Sequence, residues 1–294
     1  MEQSHFECLR KIVEAALKED VNKGDLTSLA CLEPNPMKAN IVAKSDGILS
    51  GVKPALLTFD IVDSANVVRP LKSDSESFSK GDVIFELEGF NQTLLTAERT
   101  ALNFLGHLSG IATLTGKFVD QVKGTRCRIL DTRKTAPGLR MLEKAAVVDG
   151  GGCNHRFGLY DMVLIKDNHI ASAGSIAEAV KRTKEFLTTP EFRLQFDARA
   201  EDIQIEVEVA TESQLREAIE SGITRILLDN QSNDGLAQLV SVARQLNDAV
   251  ELEASGNVSL DSVARVAATG VDYISIGALT HSAISSDFSM KAVE

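Results

Sequence analysis

The sequence has no Cys-x-x-Cys pair, no long apolar run and no excess of positive charge, and each absence removes a class of function. Its four cysteines, Cys8, Cys31, Cys127 and Cys153, show no His/Cys ligand spacing. That argues against a structural zinc site and fits the reduced thiols of a cytosol. No apolar run approaches the roughly 20 residues that span a bilayer. The stretch from Met1 to Asp20 carries charges every few residues and lacks the apolar core of a secretory signal, so a cytoplasmic location is expected. A formal net charge of −11 argues against DNA or RNA as a partner, because a phosphate backbone attracts basic surfaces.

What is present is an ordinary globular composition over 294 residues, enough for one large domain or two modest ones. Helical periodicity from Phe6 to Lys18 places Leu9, Ile12, Val13, Ala16 and Leu17 on one face. Pro34 and Pro36 interrupt the chain. Short strands are expected over Asn40 to Lys44, Asn66 to Leu71 and Val83 to Glu88, punctuated by Gly47, Gly51, Gly81 and Gly89. A long helix from about Thr93 to Val122 follows, with an interruption expected at Gly106 or Gly110. Arg99 stands four residues after Leu95 and three before Leu102, which places a charge on an apolar face. Snorkelling or a salt bridge would account for it.

The remainder alternates apolar β-rich runs with helical segments. The runs are Cys127 to Asp131, Met162 to Lys166, Ile203 to Val209, Arg225 to Asp229, Val250 to Ala254 and Val271 to Ile276. Alternation of this kind implies parallel strands with right-handed crossovers. Both a barrel and an open doubly wound sheet fit. The expected fold is α/β: an incomplete TIM-like α/β barrel over residues 113–280, preceded by a smaller α+β sandwich domain over 1–112 to which the tail 281–294 returns. The barrel is favoured because polar residues follow six successive strands: Asp131 to Lys134, Lys166 to Asn168, Glu208, Asp229 with Asn230, Ser255 to Asn257, and Gly277. Barrel enzymes keep their chemistry at those ends.

Between Lys123 and His169 nine Arg and Lys face five Asp and Glu, a local reversal of the overall charge. Arg133, Lys134, His155, Arg156 and Lys166 lie there, beside a Pro137-Gly138 turn and the Gly150-Gly151-Gly152 loop. Arginine forks and lysine ammonium groups suit carboxylates and phosphates, although a solvated basic face has the same composition. Cys153 lies close by and reads as a small packing residue. Lys166, ending an apolar run, suits either a Schiff base or a protonated anion ligand. Glu208 and Asp229 suit a divalent ion, a developing cation, or neutralisation of the basic cluster. Glu206 shares the parity of Glu208, so alternation does not separate them. Ser255-Gly256-Asn257 follows a strand and precedes a helix, and Gly277 recurs after the next strand, a pattern suited to phosphate.

Several ordered motifs together resemble the quinolinate phosphoribosyltransferase family. They are Asp131-Thr-Arg-Lys-Thr-Ala-Pro-Gly138, Gly151-Gly-Cys-Asn-His-Arg156, Leu164-Ile-Lys-Asp-Asn-His169, Glu206-Val-Glu208, Leu227-Leu-Asp-Asn230 and Glu253-Ala-Ser-Gly-Asn257. Gly24-Asp-Leu-Thr27 and Glu98-Arg-Thr-Ala-Leu-Asn103 match as well. Residues 185–202 carry no family motif and form a longer stretch than the family leads one to expect.

The resemblance implies a homodimer that joins quinolinate to phosphoribosyl pyrophosphate with Mg²⁺, yielding nicotinate mononucleotide, pyrophosphate and CO₂. It implies that Arg99 crosses from the partner subunit to quinolinate. Thr132, Arg133, His155, Arg156 and Lys166 would bind that substrate, and Lys134 would hold pyrophosphate. Glu208 and Asp229 would face the ribose and its metal, while Ser255, Gly256, Asn257 and Gly277 would cradle the 5′-phosphate. Lys134, Lys166, Glu208 and Asp229 are the expected catalytic group. The rival functions are a nicotinate phosphoribosyltransferase, a Schiff-base aldolase on a similar barrel using Lys166, and an inactive phosphate-sugar binding protein.

Overall fold

A computed structural model describes residues 2–293, and they divide into two compact units. The first unit takes the chain up to Gly116, the segment Thr135–Gly151 and the chain from Ala278 onward. The second takes Lys117–Lys134 and Gly152–Gly277. The segment Thr135–Gly151, placed with the barrel on sequence grounds, therefore groups with the first unit.

The strands of the first unit are β1 (Pro36–Ala43), β2 (Gly47–Ile48), β3 (Val67–Pro70), β4 (Ser77–Phe78) and β5 (Val83–Phe90), with a later strand from the tail. Pro36 opens β1, a strand position at which its missing N–H is tolerated. Alternation in β1 sends Ala39, Ile41 and Ala43 into the core, where Phe59, Phe85 and Leu87 meet them. The Glu2–Asp20 helix buries Leu9, Val13 and Leu17 at a spacing of four and packs on the Val52–Val62 helix. The Gly24–Thr27 motif has a local structural role. Asp25 caps the Leu26–Cys31 helix by accepting the Ser28 N–H at 3.1 Å.

The Asn91–Gln121 helix runs without the expected interruption. Gly106 and Gly110 serve close packing instead of a break. A Cβ on Gly106 would stand 2.8 Å from the Ser286 carbonyl oxygen, and one on Gly110 would collide with the Ile284 carbonyl. The Ser286 N–H donates to the Gly106 carbonyl at 2.9 Å. The helix buries Leu94, Ala97, Ala101 and Leu105, so its core stripe is offset from the one read through Leu95, and Arg99 is exposed. Snorkelling over an apolar face is thus not required.

The second unit contains β6 (Arg128–Leu130), β7 (Val163–Ile165), β8 (Ile205–Val209), β9 (Arg225–Asp229), β10 (Glu251–Ser255) and β11 (Tyr273–Ser275). Their order is β6-β11-β10-β9-β8-β7, and the paired strands are parallel. The path advances in one direction from β7 to β11 and then meets β6, the first strand. A doubly wound sheet reverses direction at a switch point, so this order belongs to a barrel. The ring is incomplete, as expected. Cys153 adds a one-residue parallel bridge to Leu130, with its N–H bonded to the Ile129 carbonyl at 2.8 Å.

Residues 185–202, which lack a motif, hold the Pro190–Phe196 helix, capped by Thr189. Phe186, Phe192 and Phe196 pack on one another, with ring centroids 5.3–6.4 Å apart. The tail returns to the first unit as β12 (Phe288–Val293), antiparallel to β1 with Ala43 opposite Phe288. No helix among the described residues is long and apolar enough to cross a membrane.

Candidate active site

Every residue singled out for chemistry except Arg99 lies in the second unit, at or just beyond a C-terminal strand end. Arg99 lies in the first unit. Thr132, Arg133 and Lys134 follow β6, and the Thr132 hydroxyl accepts the Lys134 N–H at 3.1 Å. His155 and Arg156 follow the Cys153 bridge. Lys166 follows β7, and the remaining residues follow β8 to β11.

Arg133 and Arg156 are close enough to repel. Burial, and after it the Arg133 guanidinium, holds Arg156 below the ordinary arginine value, while Asp161 and Glu206 act in the opposite sense. Arg156 Nη1 donates to the Met162 carbonyl at 3.2 Å. Holding two guanidinium groups together costs energy, which an anion between or beside them offsets.

Lys166 Nζ bonds Glu208 Oε2 at 2.6 Å, with the carboxylate largely buried. Lys166 is therefore engaged by a carboxylate. Asp229 Oδ2 accepts from Asn230 Nδ2 at 2.8 Å. Asn230 and Asn257 both adopt left-handed backbone with φ of 50° and 48°. Gly256, at φ 113°, has no room for a Cβ beside the Asn230 side chain. The Ser255 carbonyl accepts the Asn230 N–H at 2.9 Å, which ties the loop after β9 to the end of β10. Gly277 lies two residues past β11, so the phosphate-suited residues sit on the ends of two neighbouring strands.

A layer of charge lies deeper along the same parity. Glu206 and Glu253 are fully buried, and Arg225 nearly so. Arg225 Nε donates to Glu206 Oε1 at 3.3 Å and Nη2 to Glu253 Oε2 at 2.9 Å. Its guanidinium stacks over the Tyr273 ring, 4.2 Å from the centroid. Burial alone would raise the Glu206 carboxyl, but His155 and Arg225 bring it below its ordinary value. Burial, and after it the Glu206 charge, pushes Glu253 up to about 7. The sequence offered Glu206 only as a motif residue sharing the parity of Glu208, Glu253 only inside a motif, and Arg225 no role. The available signal was three charged residues in apolar strands, in register as Glu206 opposite Arg225 and Leu227 opposite Glu253.

His155 belongs to this deeper layer. Its backbone N–H donates to Asp131 Oδ1 at 2.8 Å. Its Nδ1 accepts the Arg156 N–H at 2.6 Å, and its Nε2 contacts Glu206 Oε2 at 3.0 Å. A nitrogen that accepts an N–H carries no proton, so the neutral ring has its proton on Nε2, facing Glu206. Both ring nitrogens thereby have a protein partner. His155, Glu206 and Glu253 are grouped closely enough for a cation.

Glu208 and Asp229 each keep part of their oxygen capacity. Two carboxylates suit Mg²⁺, which takes few protein ligands and completes its shell with water and substrate phosphates.

Residues 25–109 match the N-terminal domain, and residues 111–291 the C-terminal domain, of quinolinate phosphoribosyl transferase. A Bacillus subtilis protein named probable nicotinate-nucleotide pyrophosphorylase (carboxylating) is 44% identical, over 96% of this chain and 92% of that one. The solved nicotinate-nucleotide pyrophosphorylase of Francisella tularensis is 38% identical with a TM-score of 0.89, covering 98% of this chain and 96% of that one. Human nicotinic acid phosphoribosyltransferase, at 13% identity and a TM-score of 0.60 over 97% of this chain and 74% of that one, shares the fold alone. Both domains, the barrel order and the basic strand ends agree, and the chain belongs to the quinolinate phosphoribosyltransferase family.

Proposed function

We propose that this chain transfers the phosphoribosyl group of phosphoribosyl pyrophosphate to quinolinate with loss of CO₂, giving nicotinate mononucleotide and pyrophosphate for NAD biosynthesis. The observation that carries the reading is the gathering of Arg133, Lys134, Arg156 and Lys166 beyond the C-terminal ends of parallel barrel strands. A dianionic ring acid offers two carboxylates to such a cluster, whereas nicotinate offers one. Arg133, Arg156 and Lys166 bind these carboxylates, with Thr132 alongside, and His155 stands behind them. Lys134 offsets charge gathering on the departing pyrophosphate. Ser255, Gly256, Asn257 and Gly277 hold the 5′-phosphate.

The ring nitrogen attacks the ribose anomeric carbon as the bond to pyrophosphate breaks. Glu208 and Asp229 stabilise positive charge developing there. The alkylated nitrogen is cationic, so the adjacent carboxylate leaves as CO₂ and its electron pair remains beside that cation. A proton then takes its place. Glu208 and Asp229 would hold Mg²⁺, directly or through water, and the ion when bound would supply charge neutralisation for the departing pyrophosphate. The ion pair between Lys166 and Glu208 favours this role over an aldolase imine.

We assign the working form as a homodimer in which the exposed Arg99 completes the partner's site. Four free cysteines support a cytoplasmic location.

The deciding experiment supplies quinolinate and nicotinate side by side and measures pyrophosphate and CO₂. Quinolinate should release both in equal amounts and turn over far faster. Equal rates with the two acids, or pyrophosphate without CO₂, would overturn the carboxylating assignment.

A further inference from the structure

Behind the basic cluster runs a chain of buried hydrogen bonds that the reaction as described does not use. Arg225 Nε donates to Glu206 Oε1, Glu206 Oε2 lies 3.0 Å from His155 Nε2, and His155 Nδ1 accepts the Arg156 N–H at 2.6 Å. His155 is also held by its own N–H on Asp131 Oδ1, and its side chain is only 7% exposed. Glu206 never reaches the barrel mouth. It sits two residues before Glu208 on β8, roughly 6–7 Å deeper at the rise of a strand.

We infer that Glu206, braced by Arg225, is a positioning residue that sets the His155 tautomer and thereby aims Arg156 at the quinolinate carboxylate.

An imidazole has two neutral tautomers. A carboxylate at Nε2 selects the one with its proton there, which leaves Nδ1 as an acceptor. That acceptor fixes the Arg156 N–H and therefore the backbone from which the guanidinium projects. With the proton on Nδ1, two N–H groups would confront each other and Arg156 would lose its anchor. A ligand's orientation is commonly fixed by such an outer hydrogen bond. Glu206 suits the task because its other oxygen is engaged by Arg225, itself gripped by Glu253 and stacked on Tyr273. The carboxylate therefore cannot turn away from His155 without abandoning a buried cation. Glutamine in its place offers one acceptor and one donor, so it leaves either His155 or Arg225 facing an N–H.

The inference rests on the reading of Arg156 as a quinolinate ligand, and its test separates the two. The first measurement is ¹⁵N NMR of the histidine-labelled wild-type enzyme, with the His155 signals assigned from a His155→Asn variant. The unprotonated nitrogen should be Nδ1. A proton on Nδ1 overturns the inference without any need for a folded Glu206 variant.

The second measurement compares Glu206→Gln with Arg156→Ala. Glu206→Gln should raise KM for quinolinate by about tenfold to a hundredfold, as small misplacements of a binding group do. KM for phosphoribosyl pyrophosphate should stay within about twofold, and the His155 signals should move towards a tautomer mixture. A merely structural loss would affect both substrates alike, and that result counts against positioning. If Arg156→Ala raises the quinolinate KM while Glu206→Gln leaves it and the tautomer unchanged, positioning is wrong and the binding role of Arg156 stands. If Arg156→Ala leaves the quinolinate KM unchanged, the underlying assignment of Arg156 fails, and the inference with it.

Discussion

Glu206 and Glu208 share a parity on β8 yet occupy different environments. Glu206 is sealed against Arg225 and His155, whereas Glu208 holds Lys166 Nζ at 2.6 Å near the barrel mouth. One strand thus contributes a buried carboxylate held by Arg225 and His155 and a second paired with Lys166. The separation gives each a distinct experimental signature.

Lys166 should form no imine. Its Nζ pairs with a carboxylate, and the proposed reaction asks it only for charge. Mass spectrometry after borohydride treatment in the presence of substrates should show no mass increase on the peptide containing Lys166. A stoichiometric adduct would instead support aldolase-type chemistry.

Arg99 should act on the neighbouring subunit's site. Arg99→Ala and Lys134→Ala should each be nearly inactive, because leaving a buried substrate charge unpaired costs about 2–5 kcal/mol. Mixed after reversible dissociation, they should form heterodimers with one intact site, which recovers at most about half of the wild-type activity. Verified exchange between folded dimers with no recovery would remove Arg99 from the shared site.

Glu253 should make stability depend on pH. Burial and the neighbouring Glu206 raise its folded value from 4.5 to about 7. Its favourable contribution is present in full below 4.5 and is lost as pH rises through about 7, at a rate on the order of 1 kcal/mol per pH unit. Glu206 is shifted the other way, so its contribution is lost only as pH falls below the ordinary glutamate value. Denaturant unfolding of wild type and Glu253→Gln at pH 5 and pH 8 reads the difference. The variant should lose less stability between the two, and parallel losses would contradict the shift.

Gly110→Ala should destabilise the first unit. The added methyl group meets the Ile284 carbonyl, so the tail must move or the helix must bend. Overpacking of this kind costs about 1–3 kcal/mol. A melting temperature equal to wild type would show that the tail yields freely.

Much of this protein was legible because much of its information is local or periodic. The Glu2–Asp20 helix announces itself by Leu9, Val13 and Leu17, and the six barrel strands by apolar runs that end in polar residues. Placement of Arg133, Lys166, Glu208, Asp229 and Ser255 at strand ends follows from those same boundaries. The motifs in order carried the family.

Three-dimensional packing settled what periodicity leaves degenerate. A period of two assigns Glu206 and Glu208 to one face but carries no measure of depth, and only the neighbours from β9 and the Cys153 segment separate them. A period of 3.6 allowed two adjacent stripes on the Asn91–Gln121 helix, and contact with the sheet chose the one that leaves Arg99 exposed. The two-residue strands β2 and β4 escaped notice because their hydrogen bonds come from a partner distant in sequence, and β12, in the tail expected to return to the first unit, likewise takes its partner β1 from far along the chain. The sequence by itself determined which residue types stand at the barrel mouth. Tertiary structure alone decided which of them stay exposed and which, like His155, meet a buried partner, because that depends on which distant groups lie within hydrogen-bonding distance.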